Sequence, residues 1–321
     1  MKRTVYLLAL CLTVLGAQPA RAGAAAPAGA DNADHAAARS EPNTAGAATA
    51  AAPGADQGTA SAGAAPAPAA LAVGAASDPA APLPGSVMHV ASRGSSVPVY
   101  AVWNEHAVAT LVLFSGGHGG YGKIGADGWP SSQNFLIRSA KLFAAQPVNV
   151  VLVGLAPDLR ELDGRARIGE QHAQDNQAIF KMVKARSSAP LWLLGTSMGT
   201  ISVASAAIRD SVVGDLAGIV LSSSVTAYRV EGAVPSQLLE LIRVPVLVVH
   251  HQRDACKICP PHEAQSLAAR LPNAPVKKVV LVDGGGAPSG DACGALDYHG
   301  YIGMEQQVVD LMTAWLRRPA N

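Results

Sequence analysis

The sequence predicts an α/β fold, a mostly parallel sheet covered by helices on both faces. Three observations carry that prediction. Short apolar runs recur from about residue 97 onward, and a run that is apolar at every position suits a strand buried on both faces. Segments of helical length separate the runs, and strands alternating with helices imply right-handed crossovers and parallel pairing. The stretch 85–321 holds 237 residues, within the roughly 200–250 that one α/β domain occupies.

In chain order, the first 22 residues read as a signal peptide. Met1, Lys2 and Arg3 form a positive start, Thr4 to Gly16 is apolar, and Ala20-Arg21-Ala22 has the small-x-small cleavage pattern. The apolar run is shorter than the roughly 20 residues a membrane span needs, and no later run is longer. The expectation is an exported protein, periplasmic or secreted, with no membrane span. Residues 23–84 follow with 28 Ala, 8 Pro and 7 Gly. So little large apolar surface cannot offset chain entropy, so this segment is expected to be a disordered linker outside the fold. The α/β domain is assigned to 85–321.

Within it, strands are predicted at Val97–Trp103, Thr110–Phe114, Val148–Leu155, Leu191–Leu194, Gly218–Leu221, Val246–Val249 and Val279–Val282. All but the first two are expected to be buried on both faces. Helices are predicted near 134–145, 167–186, 198–209, 261–270 and 303–317, with Pro261 in a first turn. Charge excludes one class of function. The net charge is +1, from 24 Lys and Arg against 23 Asp and Glu. Without Lys2, Arg3 and Arg21 it becomes −2, which leaves no basic footprint for nucleic acid.

In such sheets functional groups collect at the carboxyl ends of strands. There, Leu191–Leu194 runs into Gly195-Thr196-Ser197-Met198-Gly199 and then a helical segment. A Gly-x-Ser-x-Gly between strand and helix is a nucleophile elbow, in which glycines permit the sharp turn that exposes a serine hydroxyl. The serine then sits at a helix N-terminus, where the dipole and free N–H groups favour developing negative charge. On these residues the stretch 97–317 resembles the α/β-hydrolase superfamily, with a small-esterase or dienelactone-hydrolase-like character.

The resemblance implies the remaining roles. A serine needs a base, and the base an orienting acid; the superfamily orders them Ser, acid, His. The acid follows the strand Val246–Val249 and falls on Asp254, with Glu231 and Asp283 as competitors. The base follows the last strand, which selects His299. His250 and His251 read as loop scaffold, and His172 with Asp175 as a structural pair on one helix. The backbone amide of Met198 is one oxyanion donor. The second comes from Ser115-Gly116-Gly117-His118-Gly119-Gly120, which resembles the His-Gly-Gly-Gly oxyanion loop but opens on Ser115. Gly117 is the expected donor, and His118 the alternative.

If Asp254 bonds to His299, the loops bearing Cys256 and Cys293 are neighbours, so a Cys256–Cys293 disulfide is expected and Cys259 is left over. The Cys-x-x-Cys spacing beside His262 invites a metal or redox reading. An exported setting weighs against it, so neither metal nor cofactor is expected. Only 224–243 is free between Ser197 and Asp254, too little for an elaborate lid. Its Val230, Val234, Leu238, Leu239 and Ile242 are expected to cover the sheet edge. The resulting expectation is a serine hydrolase, a carboxylesterase acting on small to medium esters. An amidase or peptidase on the same triad, or a non-catalytic binding module, is the alternative.

Overall fold

A computed structural model describes residues 82–321; the expected signal peptide (1–22) and most of the expected linker (23–84) lie outside the described residues. The elements run β1 (Ser86–Ser92), β2 (Ser95–Val102), β3 (Thr110–Phe114), α1 (Phe135–Arg138), α2 (Ala140–Ala144), β4 (Asn149–Val153), α3 (Gly164–Ile168), α4 (Glu170–Arg186), β5 (Leu191–Thr196), α5 (Gly199–Asp210), β6 (Leu216–Ser222), β7 (Val246–His251), α6 (Glu263–Ala269), β8 (Lys277–Val282) and α7 (Glu305–Arg317). The strands form one eight-stranded sheet in the order β1-β2-β4-β3-β5-β6-β7-β8. β2 runs antiparallel to β1 and β4, and the other pairings are parallel.

The period of two along a strand divides the core between the two faces. Val112 and Phe114 of β3, Leu193 of β5, Ile219 of β6 and Val248 of β7 pack beneath α4, α5 and α6. Leu111, Leu113, Leu194, Val220 and Leu247 alternate with them and meet α1, α2 and α7. Both faces are covered, so β3, β4, β5 and β7 are buried along their whole length.

Several expectations need correction. β1 was not anticipated. Three of its seven positions are polar and four are exposed, because it is an edge strand held by a hairpin. Arg93 and Gly94 both take positive φ in its turn, as two-residue hairpin turns require. β8 is not buried on both faces: it is the opposite edge, and its residues are half-buried or exposed. The helix expected over 134–145 is two short helices breaking at Ser139. That over 167–186 starts earlier and breaks at Gly169, which is extended. Pro261 precedes α6 rather than opening it; the carbonyls of Pro260 and Pro261 accept from the amides of Glu263 and Ala264. In 224–243, Val225, Ala233, Val234, Leu239 and Ile242 are buried, but Val230 is half-buried and Leu238 is exposed.

Candidate active site

The residues singled out from the sequence lie at the carboxyl ends of β3, β5 and β7 and in the loop before α7. Ser197 occupies the turn between β5 and α5 with φ +53, a left-handed conformation that a non-glycine residue rarely adopts. Its flanking glycines make that turn sterically possible. A Cβ on Gly195 would lie 2.5 Å from the carbonyl oxygen of Gly199, and one on Gly199 would run into the carbonyl of Phe114 at the end of β3. The Ser197 amide donates to Ser222 O at 3.0 Å, which ties the turn to β6.

Asp254 sits in the turn after β7 and is 5% exposed. Its Oδ2 lies 2.8 Å from His299 Nδ1 and 3.0 Å from His250 Nε2, and its Oδ1 accepts from the Cys256 amide at 2.8 Å. Burial pushes its carboxyl up, but the hydrogen bonds from His250 and His299 outweigh that and hold it below the usual carboxylate range. Arg253 instead pairs with Asp283 at the surface, and Glu231 pairs with Arg165. Neither competing acid reaches a histidine.

His299 lies in a short turn at 298–300 and is 4% exposed. With Nδ1 donating to a carboxylate, its Nε2 is the unprotonated nitrogen of the neutral ring. That nitrogen is buried and hydrogen-bonded to nothing among the described residues. Ser197 and His299 line one cleft of about 310 Å³, together with Ser115–Gly120, Asn134 and Phe135. No hydrogen bond joins the Ser197 hydroxyl to Nε2; catalytic hydrogen bonds are often long until a substrate packs against them. A larger cleft of about 460 Å³ between α4 and α5 contains no histidine or cysteine.

The backbone amides of Met198 and Gly117 donate to no acceptor among the described residues, and Gly117 lines the cleft with φ +57. A Cβ on Gly116 would lie 2.8 Å from Ser197 Cβ, so the glycine loop lies directly against the serine. His118 is exposed and pairs with Glu161 at 2.6 Å.

Cys256 and Cys293 are joined by a disulfide, and Cys259 is a buried free thiol. The Cys259 and Cys256 sulfurs and a ring nitrogen of His299 lie within 4.8 Å of one another. Because the Cys256 sulfur is already bonded, two donors remain, fewer than a structural zinc site uses. Burial pushes the Cys259 thiol far up, so it stays neutral beside the serine.

Other roles were not visible in the sequence. His250 is more than loop scaffold: it belongs to β7, and its Nε2 also lies 2.8 Å from Cys259 O, an acceptor that places the proton on that nitrogen. Tyr301, with φ +59, donates to Val249 O at 2.9 Å and bonds Ser222 and Ser223. Ser223 donates in turn to His299 O at 2.9 Å, so the turn bearing His299 is fastened to the ends of β6 and β7. His172 and Asp175 do not pair. Asp175 bonds Arg93, and His172 bonds Ser202.

The sequence matches no protein-family model and no curated protein. Solved structures resemble the fold. A dienelactone hydrolase from Anabaena variabilis superposes with a TM-score of 0.53 at 14% identity, covering 74% of this chain and 98% of its own. Est1E from Butyrivibrio proteoclasticus, with ferulic acid bound, gives 0.52 at 12% identity over 71% and 97%. A Xanthomonas campestris serine hydrolase described as having no lid gives 0.50 at 14% identity over 75% and 98%.

Proposed function

We propose that this chain, which has the α/β-hydrolase fold, is an exported serine hydrolase, a carboxylesterase acting on small to medium esters. One observation carries the reading. A buried histidine donates one nitrogen to a buried carboxylate and keeps the other free in the cleft that holds the elbow serine. A binding module has no reason to keep a buried basic nitrogen without a partner, since leaving such a group unsatisfied costs about 1–3 kcal/mol.

Ser197 Oγ attacks the ester carbonyl while His299 Nε2 takes its proton. The amides of Met198 and Gly117 receive the charge that develops on the carbonyl oxygen. His299 then gives its proton to the departing alcohol oxygen, leaving an acyl-enzyme. Water, deprotonated by the same nitrogen, releases the acid and restores Ser197. Asp254 stays ionised throughout and stabilises the imidazolium. The modest cleft supports short acyl groups, and the buried anchors of 224–243 support an open site without a lid. The leader-like residues 1–22 support export.

The test is turnover of p-nitrophenyl butyrate against the matching anilide by the purified protein. Ester hydrolysis well ahead of the anilide supports the reading; equal or faster anilide cleavage converts it to an amidase. Failure to cleave either, with no covalent labelling of Ser197, overturns it.

A further inference from the structure

Arg167 of α3 is 1% exposed, yet no carboxylate pairs with it among the described residues. A buried cation without a counter-ion is costly, and such groups persist where hydrogen bonds satisfy their donors. Here each of the three guanidinium nitrogens donates, four bonds from five N–H groups. Nε donates to Leu162 O at 2.8 Å and Nη1 to Ser202 Oγ at 3.0 Å, while Nη2 donates to both Ser115 O and Gly117 O at 3.2 Å. The last two carbonyls belong to the glycine loop that lines the cleft. They flank the peptide whose nitrogen is that of Gly117, and this peptide's own oxygen, Gly116 O, accepts from the Gly119 amide at 3.2 Å. Peptide units are planar and trans, so turning the Gly117 N–H swings Gly116 O off the Gly119 amide, and the flanking peptides that could follow it are held by Arg167. Leu162 adds a further tie, its amide donating to His118 O at 2.9 Å.

We infer that Arg167 is the positioning residue of the oxyanion loop: it clamps the peptides on either side of Gly117 so that the intervening N–H is held ready for the developing oxyanion. Burial lowers the guanidinium pKa only to about 10, so it stays charged at neutral pH and adds a favourable field behind the loop. The inference rests on the serine-hydrolase reading for its catalytic consequence, but not for the clamp itself.

The experiment compares Arg167→Met and Arg167→Lys with wild type in the full chain, each first checked by thermal melting. Selective ¹⁵N-glycine labelling reads the loop without reference to activity. The Gly116, Gly117 and Gly119 amide resonances should shift or broaden in Arg167→Met. With p-nitrophenyl butyrate, kcat should fall on the order of 10²-fold, as for loss of an oxyanion donor, and KM should stay within about threefold. Arg167→Lys, with charge but no fork, should recover part of kcat, and it decides the matter if the Met variant does not fold. Unmoved glycine resonances in a folded variant overturn the clamp. Moved resonances with wild-type kcat overturn its catalytic role. If wild type itself turns over no ester, the hydrolase reading fails, while the resonances still decide the clamp.

Discussion

Asp254 spends both oxygens on three donors, and one of them, His250, shares Oδ2 with His299. His250→Phe removes a donor from a buried carboxylate and frees His299 to drift. We expect kcat to fall on the order of 10-fold, in line with the usual effect of losing an orienting partner; steady-state kinetics check it. Titration gives a second test. His172 is buried beside Arg167, and burial lowers its pKa to about 3, so it folds neutral. The unfolded chain protonates it below about 6.5, so the stability it contributes is lost as pH falls from there towards about 3. Asp254, depressed below its ordinary value, loses its contribution only below about pH 4. The melting temperature should therefore drop between pH 6.5 and 4.5, and His172→Gln should flatten that slope while leaving the fall below pH 4. At this scale, residues in a local motif or a fixed chain order were legible: Ser197 from its glycines, and Asp254 and His299 from their places after particular strands. Arg167, His250 and Tyr301 were not, because their roles lie in contacts to residues distant in the chain, such as Arg167 to Ser115.

The elbow between β5 and α5 is tightly packed. Gly199 stands against the Phe114 carbonyl and lies beside Ser115 O, so a methyl group there must push β3 and its glycine loop away. Gly199→Ala should destabilise by about 1–3 kcal/mol or more, the usual cost of overpacking, and should abolish ester turnover even in the folded fraction; a thermal melt alongside an activity assay reads both. The internal strands were legible nearly to the residue because burial on both faces writes an unbroken apolar run. The edges were read less well. β8 was found from its apolar run but its burial was overestimated, and β1, which shows solvent most of its residues, carries no such run. The breaks at Ser139 and Gly169 escaped as well. At the second, Ile168 O accepts from Arg209 of α5, a contact that the local sequence does not announce.

For the molecule as a whole, the Cys256–Cys293 bridge closes a loop that contains α6, β8 and the approach to His299. By loop entropy it contributes about 3–4 kcal/mol. Reduction should lower the melting temperature by about 10 °C for a domain of this size, and should cut activity below the new midpoint because Cys256 also anchors Asp254. With 224–243 tied into the core, catalysis should not wait on an opening step. Rates should rise hyperbolically with dissolved butyrate ester and show no jump at the solubility limit, and a sharp interfacial increase would contradict an open site. The central claim is that Ser197, His299 and Asp254 act as one catalytic unit. The most direct measurement pairs fluorophosphonate labelling, mapped by peptide mass, with the kinetics of Ser197→Ala, His299→Ala and their double variant. The account predicts one label, on Ser197, lost in Ser197→Ala and strongly slowed in His299→Ala, with each single variant nearly inactive and the double little worse. Label on another residue, or near-wild-type hydrolysis by Ser197→Ala, would contradict it.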